Sequence, residues 1–133
     1  MRTIGRISLE SRRRVAVAAG AAIGTLLRVG LANLVGATGR SALWATFLAN
    51  VVGSLLLGLL LGWRLRRSAP STFTIPFAGI GLLGSFTTFS LFAVETGDLL
   101  REGRVALGAF YSIGSVVAGL TVAFVGGRVG RVL

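Results

Sequence analysis

Four blocks of about 20 apolar residues follow one another along this chain and take up most of its length. They cover residues 15–35, 42–63, 73–94 and 105–126. A helix needs about 20 mostly apolar residues to cross a bilayer. The stretches between the blocks, 36–41, 64–72 and 95–104, are short and leave no room for a water-soluble unit. The pattern predicts an all-α membrane protein, with one domain of four transmembrane helices over residues 1–133. Hydrophobic residues make up 53% of the 133, more than a soluble core of this size could hide.

Charge supports the same reading. All 14 basic residues are arginine, against 4 acidic ones. The arginines lie between apolar blocks and form no aromatic-interleaved platform, so they read as membrane-flanking groups and not as a nucleic-acid surface. Arg2, Arg6, Arg12, Arg13, Arg14, Arg64, Arg66, Arg67, Arg128 and Arg131 fall on the side of the N-terminus. Arg40, Arg101 and Arg104 fall on the other, offset by Glu95, Asp98 and Glu102. Ten against three predicts both termini in the cytoplasm, in a multi-pass protein of the inner (plasma) membrane. Arg12-Arg13-Arg14 followed by an apolar run also has the outline of a signal peptide. Gly20, Gly24 and Arg28, spaced four apart, argue instead for a helix built to pack.

The spans carry few polar groups. Thr46, Asn50, Ser54, Gly58 and Gly62 share one helical face, as do Gly20, Gly24, Arg28 and Ala32. Small residues let helix backbones approach, which accounts for most of the glycines and for Ser54. Asn50 needs more, because an unpaired carboxamide in hydrocarbon costs several kcal/mol. It either glues helices together or faces a polar pathway. Arg28 either snorkels to the interface or lines an aqueous vestibule. No acidic residue falls inside the apolar blocks, and the chain has neither histidine nor cysteine. That argues against proton-coupled transport, thiolate or metal chemistry, acid–base catalysis and enzyme activity in general.

The third block contains GLLGSFTTFSLF, residues 81–92. Gly81 and Gly84 weaken a helix, and Ser85, Thr87, Thr88 and Ser90 offer side-chain bonds that compete with helical ones. The segment predicts a helix broken near its middle. Such a break is tolerated at membrane depth only in a buried or water-lined environment. Freed carbonyls there can hold a hard cation. Phe89 and Phe92 share a face. Packing is the usual role of such rings, but their positive edges, with hydroxyls and an amide, can also solvate a small anion.

These residues resemble the CrcB/Fluc-type fluoride channel family along nearly the whole chain. The matching stretches are GAAIGTLLR (20–28), WATFLANVVGSLLLG (44–58), GSFTTFSLFAVE (84–95) and YSIGSVVAG (111–119). The resemblance implies an antiparallel dimer with two fluoride pores and a structural sodium ion at its centre. It makes the backbone carbonyls of Gly84 and Thr87 the sodium ligands. Asn50, Phe89, Phe92, Ser90, Thr88, Tyr111, Ser115 and Thr46 become pore residues, with Arg28 in the vestibule and Glu95 at the mouth. The implied function is passive, fluoride-selective export that limits cytoplasmic toxicity. The alternatives are a small multidrug-type transporter, which resembles a class with a glutamate inside its first helix, and a membrane scaffold without transport.

The chain departs from the family pattern in three ways. Ser85 follows Gly84 where relatives resemble a glycine pair, and Gly119 stands where another hydroxyl is expected. The arginine bias is also strong for an antiparallel homodimer, so the partner is either a second copy or an oppositely oriented paralogue.

Overall fold

The computed structural model describes residues 2–36, 38–39, 41–67 and 72–133, with side chains from Ser8 onward. Arg40 and Pro70 lie outside the described residues, as do the side chains of Arg2 and Arg6. Helix α1 spans Arg2–Leu34 and α2 spans Ser41–Arg66. Helix α3 begins as a wide π-type helix over Ile75–Leu83, with Pro76 in its first turn, and closes with an α-turn over Gly84–Phe86. Helix α4 spans Phe89–Arg101 and α5 spans Val105–Gly130. Gly103, with φ at 73°, makes the turn between α4 and α5.

Four segments are long and apolar enough to cross a membrane: Ser8–Leu34, Ser41–Arg66, Ile75–Arg101 and Val105–Gly130. Helices α3 and α4 together form the third. Only Thr87 and Thr88 interrupt it, both with extended backbone (φ −79°, ψ 158° and φ −149°, ψ 120°). The span is bent only slightly there. Gly84 keeps helical dihedrals, and its N–H reaches back to the carbonyls of Gly79 and Gly81. The interruption therefore lies three residues beyond the glycine that first suggested it.

Two helix pairs build the bundle: α1 packs on α3, and α2 runs along α5. Both pairs use glycine against main chain. A Cβ on Gly20 would strike the Phe77 carbonyl, one on Gly24 the Leu82 carbonyl, and one on Gly81 the Val17 carbonyl. In the second pair Gly58 faces the Ala123 carbonyl, Gly62 that of Gly127 and Gly130 that of Leu59. Lipid offers no hydrophobic gain for helix association, so such close backbone contact supplies the packing energy. The apolar core is thin: Ala45, Ala49, Leu83, Phe86 and Leu99 are its buried members among the described residues. Leu, Val, Ile and Phe side chains cover the outside, as suits a lipid-facing surface.

The glycine contacts give a direct test. A Cβ on Gly126 would stand 2.5 Å from the Leu55 carbonyl oxygen and 3.0 Å from the Leu59 nitrogen, whereas one on Gly30 meets nothing within 4 Å. Gly126→Ala should lower stability in detergent by about 1–3 kcal/mol, and Gly30→Ala should not lower it. Thermal unfolding of both variants checks this.

Candidate functional site

The two extended residues would leave backbone groups unpaired inside the membrane, and most of those groups find partners. Asn50, on α2, accepts the Thr88 N–H at 2.8 Å and donates from Nδ2 to the Thr88 carbonyl at 3.0 Å. The carboxamide thus pairs with both polar groups of one residue, as a neighbouring strand would. The Thr87 N–H and hydroxyl both donate to the Leu83 carbonyl, at 3.0 and 2.9 Å. The Thr88 hydroxyl caps α4 by accepting the Leu91 N–H at 3.3 Å, and it lies 3.2 Å from the Ser90 hydroxyl. Thr and Ser compete well with helical bonding for this purpose.

Arg28 reaches inward from α1 and donates through Nε to the Ser85 carbonyl at 3.1 Å. That carbonyl belongs to the last turn of α3, where a cation also meets the negative end of the helix dipole. Arg28 is half-buried and borders a small cavity of about 130 Å3 with Asn33, Thr46, Ala49 and Thr88. Among the described residues, no hydrogen bond ends on the carbonyl oxygen of Gly84 or of Thr87. Both residues border an open groove of about 280 Å3. Asn50, Gly53, Ser54, Gly84, Thr87, Thr88 and Phe89 border it.

The rings form a row. Phe89 and Phe92 lie 5.7 Å apart between centroids with their planes tilted by 46°, and Phe92 lies 5.5 Å from Tyr111. Phe89 is 79% exposed in the single chain, at the edge of the groove, and Phe92 is half-buried. Ser90 is exposed beside them.

Glu95 continues the row on the next turn of α4. Its two carboxylate oxygens accept from the Thr46 hydroxyl at 2.7 Å and from the Tyr111 hydroxyl at 2.6 Å. Both bonds are short. The carboxylate joins α2, α4 and α5, and Thr46 is only 4% exposed. Glu95 lies within α4, which runs on to Arg101. One turn further along α5 from Tyr111, the buried Ser115 hydroxyl has no hydrogen-bond partner among the described residues. It borders an apolar cavity of about 410 Å3 with Trp44, Phe47, Arg104 and Tyr111.

The structure thus gathers Asn50, Thr87, Thr88, Phe89 and Gly84 around one groove. Thr46, Glu95, Tyr111 and Phe92 form an adjoining polar and aromatic row. Arg28 stands behind the interruption, and Ser115 stands apart at the far end. Sequence reasoning had not paired Asn50 with the Thr88 backbone or Arg28 with Ser85.

The family described as "CrcB-like protein, Camphor Resistance (CrcB)" matches residues 15–127. The chain belongs to the CrcB family. Among similar CrcB proteins is one of Novosphingobium aromaticivorans named fluoride-specific ion channel FluC. It is 46% identical over 113 residues, covering 83% of this chain and 89% of its own length. A protein of Thermus thermophilus with the same name is 42% identical over 122 residues, covering 91% and 97%. Another so named, of Agrobacterium fabrum, is 40% identical over 117 residues, covering 86% and 93%. The match in this CrcB chain contains all of the residues described above.

Asn50→Ala should be among the most damaging single substitutions in the bundle. It would leave the Thr88 N–H without its protein partner and remove the amide's bond to the Thr88 carbonyl, at about 1–3 kcal/mol for the orphaned group. Detergent unfolding should show a loss of at least about 1 kcal/mol. A loss below about 0.5 kcal/mol would mean that water replaces the amide freely.

Proposed function

We propose that this protein is a channel that conducts fluoride passively across the cell membrane and so limits fluoride in the cytoplasm. It is not an enzyme. The observation that carries this reading is its membership of a family in which proteins 40–46% identical, over most of their length, are named fluoride-specific channels.

The chemistry of the site agrees with a small anion. The path runs along Phe89, Phe92 and Tyr111, with Ser90, Thr88, Thr46 and Ser115 as hydroxyl donors near it. Ring edges and hydroxyls attract an anion weakly enough to release it, as conduction requires. Asn50 holds Thr88 in place beside this path. Arg28 supplies positive charge on the vestibule side, and Glu95 anchors Thr46 and Tyr111 at the mouth.

The functional unit in this reading is an antiparallel dimer of single-domain, four-helix subunits, closed over the groove at Asn50, Gly53, Gly84 and Phe89. The thin core and the exposed Phe89 support a partner on that face. The unpaired carbonyls of Gly84 and Thr87 suit a hard cation of low charge, which oxygen ligands hold. Two copies would offer four such oxygens to a structural sodium ion. When bound, it supplies a fixed positive charge at the interface. The interruption at Thr87 and Thr88 then serves as the break that turns these carbonyls outward.

The arginine bias supports insertion with both termini in the cytoplasm, and hence pairing with an oppositely oriented paralogue over pairing with itself. Tags on each terminus, probed from both sides of the membrane, should label from the cytoplasmic side only. Equal labelling from both sides would support a homodimer.

Fluoride efflux from liposomes, followed with a fluoride electrode, tests the main reading. Fluoride should leave and chloride should not; equal flux of both would sink it. Phe89→Ile and Phe92→Ile should each cut the fluoride flux by at least about tenfold, roughly 1.4 kcal/mol on the barrier. Unchanged rates in both variants would reduce the rings to packing.

A further inference from the structure

Arg12, Arg13 and Arg14 stand together where the polar part of α1 meets its apolar run. Their surroundings differ. The Arg12 guanidinium lies 6.0 Å from the Phe73 ring. Arg14 reaches Glu10 only loosely, at 4.0 Å, with both side chains largely exposed, a pair of little worth. Arg13 has no hydrogen bond, ion pair or ring contact among the described residues. Other arginines of the same charge cluster are engaged. Arg67 stacks on Trp63 at 4.5 Å and Arg128 on Phe124 at 4.7 Å, and Arg66 donates to the Val132 carbonyl at 2.8 Å.

Beside Arg13 and Arg14, α1 and α3 enclose a groove of about 460 Å3. The two arginines border it together with Val17, Ala18, Pro76 and Ile80. The two helices touch through Gly20 and Gly81, one turn deeper, and Ile80 is 59% exposed on the outer wall. The groove therefore has cationic groups at one end and hydrocarbon along the rest. Such a shape matches a molecule with an anionic head and an apolar tail. Glu10 is the one acidic side chain paired with these arginines among the described residues.

We propose that this groove is a binding site for an anionic phospholipid. Its phosphate sits between Arg13 and Arg14, and an acyl chain lies along Val17, Ala18, Pro76 and Ile80. Basic pockets between membrane helices recognise such head groups, and the guanidinium fork suits phosphate oxygens. The site is independent of the ion conducted. Its occupant would bridge α1 and α3 at the arginine end of the groove.

The test uses the purified full chain in neutral detergent. Thermal unfolding is followed with phosphatidylglycerol, with phosphatidylcholine and with glycerol 3-phosphate, and native mass spectrometry counts retained lipid. Phosphatidylglycerol should raise the midpoint by about 5 °C and remain bound, and the other two should do neither. Arg13→Gln with Arg14→Gln should abolish most of that rise. Arg128→Gln with Arg131→Gln, which removes the same charge elsewhere, should keep it. An equal loss in the two double variants would overturn the site in favour of diffuse attraction. A rise with glycerol 3-phosphate matching that with the lipid would overturn the acyl groove. No rise with phosphatidylglycerol would overturn the proposal entirely.

Discussion

The pairing of the Asn50 amide with the Thr88 backbone is the interaction on which the rest depends. Extended residues at membrane depth are costly because no water is there to satisfy them. One side chain on α2 satisfies both groups of the second extended residue. With that residue held, the Thr88 hydroxyl is free to start α4, and α4 then aims Phe89, Phe92 and Glu95 along one row. Arg28 does the matching work on the first side of the interruption, at Ser85. The interruption is thus pinned from two helices, and Gly84 and Thr87 border the open groove.

The second anchor is Glu95. A carboxyl group between helices is costly unless its oxygens are hydrogen-bonded. Here Thr46 and Tyr111 supply those bonds from two different helices. The same contact positions Tyr111 against Phe92, so the polar bridge and the aromatic row are one assembly. A site of this kind is rigid where it touches protein and open where Phe89 meets the groove.

Much of this was readable before any coordinates. Hydropathy marked the four spans, because the bilayer sets one length for all of them. Asn50 stood out because its cost demanded a partner, yet the partner lies 38 residues away and is main chain, which no spacing rule reaches. Glu95 drew notice as an acidic residue at the end of the third apolar block, yet its partners on α2 and α5 lie 49 and 16 residues away, beyond any local spacing rule. Of the residues that marked this segment, the threonines at 87 and 88, and not the glycines at 81 and 84, carry the extended backbone. Gly81 allows a close approach to α1, and Gly84 keeps helical dihedrals. Nothing in IPFAGIGLL distinguishes a π-type helix from an α-helix, since composition is the same for both.

The way the helix pairs touch has an evolutionary consequence. At Gly20, Gly24, Gly58, Gly62, Gly81 and Gly130 the atom opposite is a main-chain carbonyl. In an ordinary core a residue that grows can be rescued by a neighbour that shrinks. A carbonyl cannot shrink, so these positions have no compensating substitution across the interface. A search for suppressors of a substitution at any of them should return little except the original glycine. The lipid-facing leucines and valines are different, because each faces solvent hydrocarbon and can drift alone. Sequence change in such a bundle is therefore channelled to its outer surface, while the seams between helices stay fixed one atom at a time.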